Sequence, residues 1–209
     1  MLYLLVLVIL SVRAETNFYD LEVEQQQDWI RSFNNFKTQN HELFEQFVAI
    51  HVNNFDTVHL SENTELFFSF HEIYMNLFKN ISLLELYYWN FEEVPIQKYV
   101  KDFGGFGVFC SNSICYQRQF RTSSLRIDKN KNNDMLFLKD EIHNKIHQFI
   151  GGTFISPYSP RDILFYPFHV YINMLYKRSN DINVSLVYNT LSTDTAFQDL
   201  IVKEIPSTN

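Results

Sequence analysis

The chain reads as a mainly α-helical protein. Apolar residues recur at three- and four-residue spacing through five separate stretches, as one buried helix face requires. Two histidines, His143 and His147, stand four apart inside one of those stretches, which puts both on one helix face. The residues that break helical periods concentrate in one stretch, residues 92–134, where proline, glycine, lysine and asparagine interrupt every pattern.

Residues 2–12 are almost unbroken apolar sequence, about the length of a secretory leader's core and too short to span a bilayer. Val12 and Ala14 suit positions −3 and −1 of a cut after Ala14, although no basic segment comes before the apolar run. The expectation is a signal peptide over 1–14 and one domain over 15–209, secreted and free of membrane once the leader is removed. A first helix is predicted over 21–37, with Trp29, Phe33 and Phe36 on one face. A second spans 41–53, with Phe44, Phe47, Val48 and His51 in one stripe, and a loop with His59 and Ser61 follows. The third covers 64–80, with Phe67, Phe68, His71, Met75 and Phe78 inward. Residues 92–134 are expected to be a long irregular insert. A fourth helix runs over 136–150 and stops at Gly151, a suitable C-terminal cap. Pro167 opens the fifth as its first residue, and Phe168, His169, Ile172, Asn173 and Tyr176 carry it to Arg178. The polar last thirty residues suit short strands or a tail.

A chain of 209 residues that is 46% hydrophobic can bury a real core, and its 17% aromatic content is chiefly core material. A minority of those rings suits the wall of a pocket for a flat aromatic substrate. The net charge of −7 argues against a nucleic-acid partner, which calls for a clustered basic face. Lys129 and Lys131, set among asparagines, make no such face. Cys110 and Cys115 are placed for a short-loop disulfide in an oxidising compartment, with two free thiols as the alternative. Asn80-Ile81-Ser82 and Asn183-Val184-Ser185 are N-glycosylation sequons.

Six of the seven histidines fall into two triplets: His51, His59 and His71, then His143, His147 and His169. A lone histidine on an apolar face is usually a satisfied core residue, and the 143/147 pair alone is a weak signal. Two triplets on neighbouring helices are harder to explain that way. Neutral imidazole binds copper, zinc, iron and nickel, and three imidazoles per ion leave positions open for chemistry. The absence of carboxylates from the set argues against a di-iron bundle built on Glu-x-x-His.

On several motifs taken in order, the chain resembles the tyrosinase family of binuclear copper proteins, which includes catechol oxidases and is related to haemocyanins. Phe44 to His51 resembles the segment with that family's first ligand, and Phe67 to His71 the Phe-Leu-Pro-Trp-His at its third. Leu86 to Phe91 is similar to Leu-Pro-Tyr-Trp-Asp-Trp, and Phe103 to Gly107 to the Phe-Gly-Gly-x-Gly loop. His143 to Gly152, His-Asn-Lys-Ile-His-Gln-Phe-Ile-Gly-Gly, matches best, and Ser159 to Asp162 and Phe165 to Tyr176 keep the order. The resemblance covers about residues 41–178. It implies a helical bundle core with long irregular loops, holding two copper ions. His51, His59 and His71 would bind one copper, and His143, His147 and His169 the other. It further implies oxidation of phenols or o-diphenols to o-quinones by O2. For monophenols it points to a water held by Asn144 as the base, with Asp134 assisting.

Departures accompany it. His59 lies farther from His71 than the family's spacing, which Glu62 occupies, so either residues are inserted or that ligand is displaced. The Arg after the third ligand is Glu72 here, and the Asp four residues after the last ligand is Asn173. Thr57 stands where some relatives carry a thioether-forming Cys. These changes spare the six histidines and motivate a second reading, a copper protein that binds O2 reversibly or no longer turns over. A third is an interaction module that keeps the scaffold alone.

Overall fold

The computed structural model describes residues 16–60, 62–111, 114–120, 135–178, 187, 190–191 and 194–197. The expected leader, Ser61, Lys129, Lys131, Asp134 and Asn183 lie outside them, as does most of the C-terminal stretch. Among the described residues no helix is long and apolar enough to cross a membrane.

Helix α1 (Val23–Gln39) opens with a reciprocal cap between Glu22 and Gln25 and buries Trp29, Phe33 and Phe36. Helix α2 (His41–Phe55) buries Phe44, Phe47, Val48 and His51. The loop expected after it is instead wound, as a wide π turn over Asp56–Leu60. A π turn takes up additional residues without breaking the helix. It therefore keeps His59 on the inner side of the extended α2. Helix α3 (Thr64–Ser82) is capped by Asn63, whose side chain accepts from the Leu66 amide at 3.0 Å. Asn80, the first sequon residue, is half-buried in its last turns.

The insert expected to be irregular contains regular structure, and that reading is corrected here. Helix α4 (Ile96–Asp102) follows Pro95, and strands β1 (Gly107–Ser111) and β2 (Ile114–Arg118) form an antiparallel hairpin. Both are too short to show a period, and tertiary contacts hold them. The Tyr99 hydroxyl donates to the Leu164 carbonyl at 2.8 Å, and its ring stacks on Trp89. A disulfide joins Cys110 to Cys115 across the hairpin. At its base, Arg118 grips Asp162 with two hydrogen bonds of 2.7 Å and donates to the Phe103 carbonyl, all of it fully buried. This bidentate pair ties the hairpin to the segment leading into the last helix. Changing Asp162 to Asn leaves a buried guanidinium without its carboxylate. The expected cost is about 3–5 kcal/mol, read as a lowered denaturation midpoint.

The second half carries a wound π segment over Phe137–His143 that continues into α5 (Asn144–Ile150). Gly151, at φ 65°, ends it as expected. Gly152 follows at φ 60°, and a Cβ there would stand 2.3 Å from the Gln117 carbonyl oxygen of β2. Both the positive φ and the backbone approach demand glycine. We expect Gly152→Ala to destabilise the fold by more than about 1 kcal/mol, since a side chain at φ > 0 is strained before any clash. A thermal melt of the two proteins would check it. Helix α6 spans Phe165–Lys177, and Pro167 is its third residue rather than its first. The helix tolerates it because the first turn's amides have no intrahelical acceptor.

Helices α3 and α6 pack on each other through rings: Phe68 stacks on Tyr176 at 4.4 Å and His71 on His169 at 4.7 Å. Phe47 on Tyr74 and Phe78 on Tyr166, both at 4.0 Å, continue the aromatic core. Among the described residues the architecture is thus a helical bundle with one small hairpin, as the mainly α reading anticipates.

Candidate metal centre

All six histidines singled out in the sequence are brought together. In each triplet, one ligand atom per residue lies within 4.8 Å of the other two. The triplets face each other: the His59 and His143 rings are 5.8 Å apart, and His71 stacks on His169 at 4.7 Å; within the second triplet His143 Nε2 approaches His169 Nε2 at 3.2 Å. His51, on α2, and His71, on α3, are buried, and the π turn brings in His59, while Glu62 points to solvent outside the triad. His143 ends the second π segment, His147 lies one turn on in α5, and His169 sits in α6.

The protons on these rings can be placed from their partners. Nδ1 donates to a backbone carbonyl in His51 (Pro157, 2.7 Å), His59 (Phe55, 3.1 Å), His71 (Phe67, 2.7 Å) and His169 (Phe165, 2.8 Å). His147 Nδ1 likewise donates to the Phe154 carbonyl, and His143 Nδ1 to Asn144 Oδ1 at 2.9 Å. A carbonyl oxygen only accepts, so each such Nδ1 carries the proton and the neutral ring's Nε2 is a bare lone pair. Nε2 of His51, His71 and His147 is buried with no hydrogen-bond partner. A buried acceptor without a donor is costly, and several aimed at one another are worse. A cation between them removes that cost, and outward-bonded Nδ1 is the usual setting of a metal-bound imidazole. The residues present therefore fit a pair of metal ions.

The electrostatics agree. Burial pushes the His51 imidazole down to about 4, partly countered by its bond to Pro157, and the His147 imidazole down to about 3. Burial and then neighbouring imidazoles hold His59 and His143 well below the usual range. His71 and His169 are also held well below it, by burial first. All six stay unprotonated near neutrality, the form a metal requires.

Rings wall the centre. Phe165 stacks on His169 at 3.8 Å and meets His51, Phe55 stacks on His59 at 4.3 Å, and Phe67 touches His59, His71 and His143. Sequence reasoning set Phe67 inward and allowed for a ring-walled pocket, but it did not place Phe55 or Phe165 in that wall or foresee the carbonyls of Phe154 and Pro157. One signal was available: a phenylalanine stands four residues before His59, His71 and His169, and its carbonyl takes the Nδ1 proton.

The two residues suggested for proton transfer fare differently. Asn144 is half-buried beside the centre, but its Oδ1 is engaged by His143. Asp134 lies outside the described residues. Of the departures, Glu72 forms an ion pair with Lys177 from α3 to α6, and buried Asn173 has both amide atoms unpartnered.

Compared with known protein families, residues 109–180 match the common central domain of tyrosinase. The match contains the triad on α5 and α6 and leaves the triad of α2 and α3 outside it. No curated protein and no solved structure matches the chain.

Proposed function

We propose, for a chain that belongs to the tyrosinase family, that the two triads bind one copper ion each and that the protein oxidises phenols or o-diphenols to o-quinones with O2. The observation that carries this reading is the convergence of six imidazoles, five of them buried and His59 partly so, whose Nδ1 protons all bond outward. His51, His59 and His71 would hold one ion, and His143, His147 and His169 the other. Copper supplies affinity for O2 and the capacity to accept electrons from a phenol.

The chain's own residues do the rest. Carbonyls of Phe55, Phe67, Phe154, Pro157 and Phe165 fix the tautomer and orientation of five rings, and Asn144 fixes the sixth. The phenylalanine walls keep water from the metals and leave a lining suited to a flat ring. His59, the least enclosed of the six, marks the side from which a substrate enters. For monophenols, Asn144 would hold the water that takes the phenolic proton; with Oδ1 spent on His143, its amide Nδ2 is the group left to do so. Asp134 is retained as its assistant. The Cys110–Cys115 disulfide supports secretion, since such bonds persist in oxidising compartments.

A second reading, an O2-binding or inactive copper protein, draws on the enclosure of His51, His71, His143 and His169, each at most 2% exposed. One sample separates the readings: copper-loaded protein is assayed for metal stoichiometry and then for oxidation of a catechol. Two coppers with turnover support the enzyme, two coppers without turnover the second reading, and no copper overturns both.

A further inference from the structure

Four of the six rings anchor their Nδ1 protons locally. His59, His71 and His169 donate to the carbonyl four residues back, and His143 to its neighbour Asn144. His51 and His147, one from each triad, instead donate to carbonyls outside their helices. Both carbonyls belong to one short segment: His147 Nδ1 donates to Phe154, and His51 Nδ1 to Pro157 at 2.7 Å. Residues 152–158 therefore serve both metal sites at once. A helix fixes its own carbonyls through its hydrogen-bond ladder. A segment between helices has no such ladder, and other bonds must hold its carbonyls in place.

Ser156, between those two residues and half-buried, supplies them. Its hydroxyl donates to the Thr153 carbonyl at 2.7 Å and accepts from the Tyr158 amide at 3.3 Å. Its own amide donates to the Thr153 carbonyl as well, at 3.0 Å. The Tyr158 amide and the Pro157 carbonyl are two ends of one planar peptide group, so holding the first aims the second. On the other side, the Thr153 carbonyl shares a peptide group with the Phe154 amide, which donates to the Gly151 carbonyl at 3.1 Å. That group leads into the Phe154 carbonyl. The hairpin braces the same turn, since the Gln117 amide donates to Thr153 Oγ1 at 2.8 Å.

We propose that Ser156 is a positioning residue for both metal sites, its hydroxyl shaping residues 152–158 so that one carbonyl meets His51 and another meets His147. This rests on the two-copper reading and adds to it a residue that is itself no ligand. Loss of a group that orients a ligand costs about tenfold or more in metal affinity, and here both ions should weaken together.

The test begins without metal. Exchange of the ring Nδ1 protons with water is followed by NMR in the metal-free wild-type, Ser156→Ala and Ser156→Thr chains. In Ser156→Ala the His51 and His147 protons should exchange about tenfold faster, as loss of about 1.4 kcal/mol of hydrogen bonding gives. The His71 and His169 protons, bonded within their helices, should keep their rates. Ser156→Thr retains the hydroxyl and should restore the wild-type pattern. Copper-loaded protein is then titrated with a chelator, and both ions should leave Ser156→Ala at about tenfold lower chelator concentration. Unchanged His51 and His147 rates in folded Ser156→Ala overturn the proposal. An equal rise at His71 and His169 also does so, because it marks general loosening, and so does unaltered copper retention. Wild-type protein whose His51 and His147 ring protons exchange as freely as that of exposed His41 overturns it with no variant needed. Wild-type protein that takes up no copper overturns the two-copper reading and the role of Ser156 with it, whatever the ring protons show.

Discussion

Protein carrying His147→Ala should hold one copper per chain instead of two, and its oxidation of catechols should fall by more than about a hundredfold. The physical case starts from the ring's two nitrogens. Nδ1 spends its proton on the Phe154 carbonyl, so Nε2 can act only as an acceptor, and it is buried with no donor in reach. Loss of a group that merely orients a ligand costs about ten- to a hundredfold in metal affinity or activity, and loss of the ligand itself costs more. With His147 gone, the second ion keeps His143 and His169 alone, and two imidazoles hold copper poorly at micromolar concentration. The same substitution empties a space walled by Phe154, Phe168 and two other imidazoles, so circular dichroism must show that the variant is folded. Two coppers retained in a folded His147→Ala protein would remove His147 from the ligand set.

The metal-free chain should unfold as pH falls below about 6, and copper should move that transition to lower pH. The sign follows from linkage. In the unfolded chain a histidine takes up its proton near pH 6.5, whereas in the fold burial lowers His51 to about 4 and His147 to about 3. Between those limits the unfolded state binds more protons, so stability present above pH 6.5 is lost progressively as pH falls toward the folded values. At 1.36 kcal/mol per unit, His51 and His147 together remove about 4 kcal/mol by pH 5. His59, His71, His143 and His169 act in the same direction. Typical domains have only about 5–15 kcal/mol in all, so the loss is enough to unfold this one. Copper occupies the lone pairs that protons would take, and so opposes the transition. Circular dichroism across pH 7 to 4, with and without metal, measures both curves. A metal-free chain still folded at pH 4 would contradict the buried, unprotonated imidazoles on which the centre depends.

Several features could be read without coordinates because they are local. A helix puts residues three and four apart on one face, so the stripes of α1, α2 and α3 and the His143/His147 pair follow from spacing alone. The glycine stop after α5 is equally local. Helix α4 and the hairpin went unseen because their stability comes from distant partners. Arg118 reaches Asp162, and the Gln117 amide donates to Thr153 Oγ1 at 2.8 Å. The spacing of His59 posed a question that sequence left open, and the π turn over Asp56–Leu60 places that ring beside His51 and His71.

Residue order alone thus established which side chains offer the chemistry: six imidazoles in two groups, on a mainly helical frame. Packing decided whether they meet. The proton on each Nδ1 and the bare Nε2 atoms turned inward depend on carbonyls and rings brought from far along the chain. Contacts of that kind carry no periodic mark, because they form only when separate helices close on one another and water leaves.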